Sequence, residues 1–187
     1  MAARAQAAEA TARAVSAAAR ALLVEQPYDA ITLAAVAERA GVTVQTVLRR
    51  FGSKEALVAA AAAERSAAVR VEREAFAPGD VAGLVAHYER WGREQLHLLA
   101  QEDRVPAIRA MTDTGRAYHA RWVEAGFGPR LEGLGADVRR RRLAQLTAVT
   151  DLTAWRVLRE DQGLSPAETA SAVRDLVDLL LDLRAMS

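Results

Sequence analysis

The sequence predicts an all-α protein, with a small N-terminal head of three helices followed by a larger helical domain. Three observations carry that expectation. Hydrophobic residues make up 51% of the 187, largely because alanine is abundant, and alanine is the strongest helix former. No stretch shows the two-residue, β-branched alternation of a half-buried strand. Apolar residues recur instead at three- and four-residue spacing, between turn-forming clusters such as Gln26-Pro27-Tyr28-Asp29, Pro78-Gly79 and Gly126-Phe127-Gly128-Pro129. The length allows both parts to bury a core.

Taken in order, helix 1 is expected over 3–23, with Ala7, Ala14, Val15, Ala18 and Leu22 facing the core of the head. Thr32 opens helix 2 as an N-cap, and Leu33, Val36, Ala37 and Ala40 recur on one face. Gly41 follows the last periodic residue, at a left-handed position that disfavours a Cβ. Thr43 caps helix 3, in which Val47 and Phe51 turn inward while Val44, Gln45, Leu48 and Arg49 face out. Ser53 caps helix 4, expected over 53–76 and stopped by Pro78-Gly79. A helix of that length spans about 35 Å, more than the head needs, so it connects head to body. The domains are therefore expected at 1–55 and 56–187.

In the body, helices are expected near 80–102, 105–111, 115–125, 137–161 and 165–185. The last opens on a capping box with proline at its first position, Ser165-Pro166-Ala167-Glu168. Along it Val173, Leu176, Val177, Leu179, Leu180, Leu181 and Leu183 leave only a narrow polar stripe of Arg174, Asp175, Asp178 and Asp182. A helix packed on one side shows an apolar arc of roughly 100° or a little more. The wider arc implies either a second contact beyond the domain or a central helix buried within one subunit.

Charge and composition narrow the function. Net charge is +1, but residues 1–54 carry seven Arg or Lys against four acids, so +3 falls there and −2 in the remainder. That asymmetry suits a nucleic-acid head. The chain has no cysteine, which excludes disulfides and thiolate metal sites and fits a reducing cytoplasm. Glu9, Arg13 and Arg20 interrupt the alanine-rich start, so neither a signal peptide nor a membrane span of roughly 20 apolar residues is expected. His87, His97 and His119 are dispersed and no nucleophile motif accompanies them, so no catalytic residue, metal or cofactor is expected.

Two short helices joined by a tight glycine turn, the second exposed, make a helix-turn-helix whose second helix fits the DNA major groove. There Gln45 can pair bidentately with adenine, Val44 can touch a thymine methyl, and Arg49 can read guanine or hold phosphate. Thr32, Thr43 and Thr46 offer hydroxyls, Arg50 a second cation, and the helix N-terminus favours phosphate. Arg139-Arg140-Arg141-Arg142 reads instead as a solvated, acid-paired cluster, because four consecutive helical residues spread around the axis. The tryptophans all lie in the body, and His87, Tyr88, Trp91, Tyr118, Trp122 and Trp155 supply the aromatic walls and polar tips of a small-molecule pocket. Ordinary core packing is the competing reading for each.

Tyr28-Asp29-Ala30-Ile31-Thr32, Val36-Ala37-Glu38-Arg39-Ala40-Gly41-Val42-Thr43 and Phe51-Gly52-Ser53-Lys54-Glu55-Ala56-Leu57 together resemble the TetR family of bacterial one-component regulators. The resemblance implies a cytoplasmic homodimer, paired through its last two helices, that binds a palindromic double-stranded operator and is released by a small-molecule effector. It also implies a phosphate contact from Lys54, the single lysine of the chain. Gln45 stands where the family often has glycine, and Leu48 where it has a phosphate-contacting tyrosine, a role open to Arg49 or Arg50. Leu48 supports the alternative of a helical ligand-binding or scaffold dimer that no longer reads DNA.

Overall fold

Capping chemistry sets the helix ends of the N-terminal part. The computed structural model describes residues 2–182, with side chains from residue 5 onward. Among them are nine α-helices and no strand: α1 (Ala2–Glu25), α2 (Leu33–Ala40), α3 (Val44–Phe51), α4 (Lys54–Arg73), α5 (Val81–Leu99), α6 (Pro106–Phe127), α7 (Ala136–Val149), α8 (Leu152–Arg156) and α9 (Pro166–Asp182). The fold is all-α, as the composition requires. Leu183, the last residue of the expected apolar arc, and the end of the helix expected to reach 185 lie outside the described residues.

These residues form two compact units, Met1–Val69 with His97–Asp113, and Arg70–Leu96 with Thr114–Ser187. In the first, α1 buries Val15, Ala18, Ala19, Leu22 and Leu23, a stripe at three- and four-residue spacing. Val36 and Ala37 of α2, Val47 of α3, and Leu57, Val58 and Ala61 of α4 close on it. Leu98, Val105 and Ile108 complete this core, although they come from the 97–113 segment that the sequence assigns to the body. Ala7 and Ala14, expected in the core, are exposed. Alanine is small enough to sit on either side of a helix, so its periodicity is a weak guide.

The second unit buries Leu84, Val85, Tyr88, Trp122, Val123, Leu146, Trp155, Val173, Val177 and Leu181. Three expected boundaries change here. Helix 4 ends at Arg73 rather than 76, and Phe76 leaves the helical path with its ring 6.2 Å from His87 and 6.5 Å from Trp122. The helices expected at 105–111 and 115–125 are one, because Ile108 on one side and Trp122 and Val123 on the other are all buried, and Gly115 is carried through the helix. The helix expected over 137–161 divides at Thr150, where the Asp151 carboxylate accepts from Thr153 N at 2.8 Å and starts α8. A π-helical turn over Val157–Asp161 follows, closed by Gln162 N donating to Val157 O at 2.9 Å. The capping box is reciprocal: Ser165 N donates to Glu168 Oε2 at 2.8 Å and Glu168 N to Ser165 Oγ at 3.3 Å.

Candidate nucleic-acid interface and aromatic cluster

In the first unit, two threonine caps and one glycine set the turn. Thr32 Oγ1 accepts from Ala35 N at 3.1 Å, and Thr43 Oγ1 accepts from Thr46 N at 3.2 Å. Gly41 has φ 67 and ψ 33, and it donates to Glu38 O while Val42 donates to Ala37 O. This paired closure satisfies the last carbonyls of α2 and aims the chain at α3. Thr43 and Thr46 also share a hydroxyl hydrogen bond of 3.0 Å.

α3 is held from one side only. Val47 is 1% exposed and Phe51 packs half-buried against the same core. Val44 is 37% and Leu48 41% exposed, and Gln45, Arg49 and Arg50 are exposed beside them. Among the described residues neither Arg49 nor Arg50 has an ion-pair partner, whereas Arg39 is bound to Glu25 at 2.7 Å. That hydrogen bond, with the Arg39 charge, holds the Glu25 carboxyl below its ordinary value. The face thus carries two uncompensated cations, an amide and two apolar contacts.

Lys54 stands at the first turn of α4, where Ser53 Oγ caps Ala56 N at 3.1 Å. Its Nζ donates to Tyr28 O at 2.7 Å and lies 4.0 Å from the centre of the Tyr28 ring. The ammonium is therefore positioned by the turn before α2 and keeps further N–H donors. Tyr28 is itself fixed: its N–H donates to Gln101 Oε1 at 2.6 Å and its hydroxyl to Glu55 at 3.2 Å. Burial and that Glu55 contact hold the Tyr28 hydroxyl above its ordinary value. Nothing local in the sequence ties Gln101 to Tyr28.

In the second unit the six aromatic and histidine residues named from the sequence form one connected group. Tyr88 lies 5.8 Å from His87 and 6.2 Å from Trp155, centre to centre. Phe76 joins His87 to Trp122, and His119 stacks on Trp122 at 5.8 Å and 14°. Trp91 shares the Glu72 carboxylate with His87, at 2.7 and 3.3 Å. Burial works against that carboxylate, but hydrogen bonds from Trp91 and His87 and the Arg90 charge outweigh it and lower its pKa. Tyr118 enters through Arg73, whose guanidinium carbon lies 5.0 Å from the ring centre. The indole N–H groups are also used: Trp122 donates to Ala77 O at 3.2 Å and Trp155 to Glu89 at 2.8 Å.

Sequence reasoning missed Glu72, Arg73, Phe76 and Thr150 in this group. Arg73 Nη2 donates to His119 Nδ1 at 3.1 Å, His119 Nε2 meets Thr150 Oγ1 at 3.1 Å, and Thr150 Oγ1 donates to Leu146 O at 2.7 Å. The chain of bonds selects the neutral tautomer with its proton on Nε2. Burial, and after it the Arg73 charge, pushes His119 down to about 4. Burial pushes the Tyr88 hydroxyl up, and that hydroxyl donates to Thr150 O at 3.2 Å. The arginine run lies at the surface as expected, with Arg139 on Glu124 and Arg140 on Asp137. Among the described residues no cluster of His, Asp or Glu could hold a metal, and no helix is long and apolar enough to cross a membrane.

Comparison with known proteins follows the same division. Residues 15–61 match the family model of bacterial regulatory proteins, tetR family. No curated protein sequence matches the chain. Among solved structures, a transcriptional regulator from Rhodococcus sp. Rha1 shares the fold at a TM-score of 0.66 and 20% identity, over 91% of this chain and 95% of that one. A protein from Mesorhizobium loti, assigned as a TetR-family transcriptional regulator, gives 0.65 and 18%, over 93% and 96%. The transcriptional regulator FadR from Bacillus subtilis, solved in complex with stearoyl-CoA, gives 0.58 and 17%, over 91% and 97%. Residues 15–61 thus match the bacterial regulatory proteins of the tetR family, and the chain as a whole shares the all-α fold of these solved structures.

Proposed function

We propose that the chain is a cytoplasmic transcriptional repressor that binds a palindromic operator as a homodimer and leaves it when a small molecule binds the second unit. The observation that carries this reading is the outward face of α3. Its Val47 and Phe51 are committed to the core, while Gln45, Arg49 and Arg50 are exposed and, among the described residues, neither arginine has an ion-pair partner. A capped helix presenting an amide and free cations suits base and phosphate contacts in a major groove. Residues 1–55 are the DNA-reading domain on this reading, and Lys54 is a phosphate contact oriented by Tyr28. α9 supports the dimer, since Val173, Val177 and Leu181 are buried while Leu176 and Leu179 are 39% and 58% exposed. An exposed apolar stripe on a helix already packed on its other side suits a two-fold mate. The aromatic group around His119 is the effector region on this reading, which is supported by the likeness of the fold to FadR, a regulator solved in complex with stearoyl-CoA.

The test is a gel shift of the full chain on the DNA upstream of its own gene, with random DNA as competitor. Specific binding is expected with two-fold symmetric protection and half-sites about 34–36 Å apart. If each head neutralises about three phosphates, log K falls against log salt with a slope near −5, roughly. Salt-independent binding, or none, overturns the DNA reading. Exposed Leu48 favours the second reading, a helical ligand-binding dimer without operator affinity, and failure of the gel shift with an intact dimer selects it.

A further inference from the structure

Arg73 is an anomaly of the second unit. It is 7% exposed, and among the described residues no carboxylate lies within ion-pair distance of its guanidinium. Its protein contacts are a neutral histidine, at 3.1 Å, and the face of Tyr118. Its Nε–H is buried with no hydrogen-bond partner. Asp151 acts on it only at longer range, and the Asp151 carboxylate is already taken by Thr153 N and Oγ1. Guanidinium stays charged in proteins, so burial leaves a cation without a counter-ion. A water molecule could satisfy the Nε–H but not the charge, and an unpaired buried charge is among the costliest features a fold can keep.

We propose that Arg73 is the anion-recognising point of the effector site, and that the effector is a small monocarboxylate with an apolar body. One guanidinium matches one carboxylate, because its fork can donate two parallel N–H bonds to the two oxygens. His119 is held neutral and bonded to Thr150, so it orients Nη2 without adding a second positive charge for a dianion. Phe76, Tyr118 and Trp122 supply aromatic surface for the apolar part of the ligand. This proposal rests on the reading of the second unit as the effector region and goes beyond it by naming the chemical class.

The test uses the full-length protein with benzoate and octanoate as probes, and benzamide and octanamide as uncharged analogues of the same shape. Tryptophan emission and thermal unfolding report binding, and wild type is compared with Arg73→Met and Arg73→Lys. Wild type is expected to bind at least one carboxylate at least tenfold more tightly than its amide. Arg73→Met should lose that preference while amide binding is unchanged, and Arg73→Lys should keep only part of it. Without ligand, the melting temperature of Arg73→Met should equal or exceed that of wild type, because an unpaired buried charge has been removed. Equal binding of acids and amides by wild type, no binding of either acid, or an undiminished preference in Arg73→Met overturns the assignment. If Arg73→Met does not fold, the acid-to-amide comparison in wild type decides alone. Failure of the broader reading looks different: a carboxylate that binds through Arg73 yet leaves operator affinity unchanged removes the regulatory role and keeps the site.

Discussion

The guanidinium of Arg73 donates to Nδ1 of His119 at 3.1 Å, and both groups are buried. A cation placed there adds to burial in keeping the imidazole neutral, with its pKa at about 4 against 6.5 for the free side chain. Between those values the unfolded chain binds a proton that the folded chain refuses. Stability therefore falls as pH drops from about 6.5 toward about 4, by about 3 kcal/mol from this group, and its contribution levels off below. Urea unfolding across that range should show the slope in wild type and a smaller slope in His119→Gln. Identical slopes would remove His119 as the cause.

On the DNA face, base and phosphate contacts should separate. Gln45→Ala is expected to weaken operator binding by about 1–3 kcal/mol and to relax preference at one base pair per half-site. Lys54→Ala should weaken operator and random DNA alike and make the salt slope shallower. Competition binding on a set of single-base operator variants distinguishes the two, and equal losses on operator and random DNA for Gln45→Ala would show that another residue reads the base.

Gly41 gives a stability test of the turn. Among the described residues, no atom beyond the two adjacent residues lies within 4 Å of a Cβ added there, so it is the positive φ of 67 that opposes a side chain. Gly41→Ala should cost about 1 kcal/mol, and Gly41→Asn less. A loss above about 3 kcal/mol in denaturant titration would mean that the turn makes contacts beyond its own conformation.

The exposed leucines of α9 predict the assembly. Leu179→Glu places a charge on the face that carries 58%-exposed Leu179 and 39%-exposed Leu176, away from buried Val177. The variant should sediment as a folded monomer with unchanged helical content, under conditions where wild type is expected to sediment as a dimer. A dimer unaffected by Leu179→Glu and by Leu176→Glu together moves the interface elsewhere.

Effector binding should be visible in fluorescence, since Trp91, Trp122 and Trp155 all belong to the second unit. Linkage requires reciprocity: an effector that weakens operator binding about 5–150-fold must itself bind that much more weakly in the presence of operator. Gly92 offers a control, because a Cβ there would lie 2.6 Å from Trp155. Gly92→Ala should shift Trp155 and change the emission of the free protein, leaving operator affinity intact.

The sequence alone determined the caps and the turn of the head. Thr32, Gly41, Thr43 and Ser53 act on backbone groups within a few residues of themselves, so their caps and the turn are written locally, and the alternation of Val47 and Phe51 with Val44, Gln45 and Leu48 sets which face of α3 is inward. Ser165 and Glu168 start the last helix for the same reason. Only the tertiary structure decided that residues 97–113 complete the head's core, that Gly115 passes through a continuous α6, and that the long helix expected to 161 breaks at Asp151. It also decided that Arg73, one of many arginines on alanine-rich helices, is buried against His119 while Arg70 beside it is exposed. These outcomes depend on partners tens of residues away, and burial of a charge is a property of the packed surroundings rather than of its neighbours in the chain.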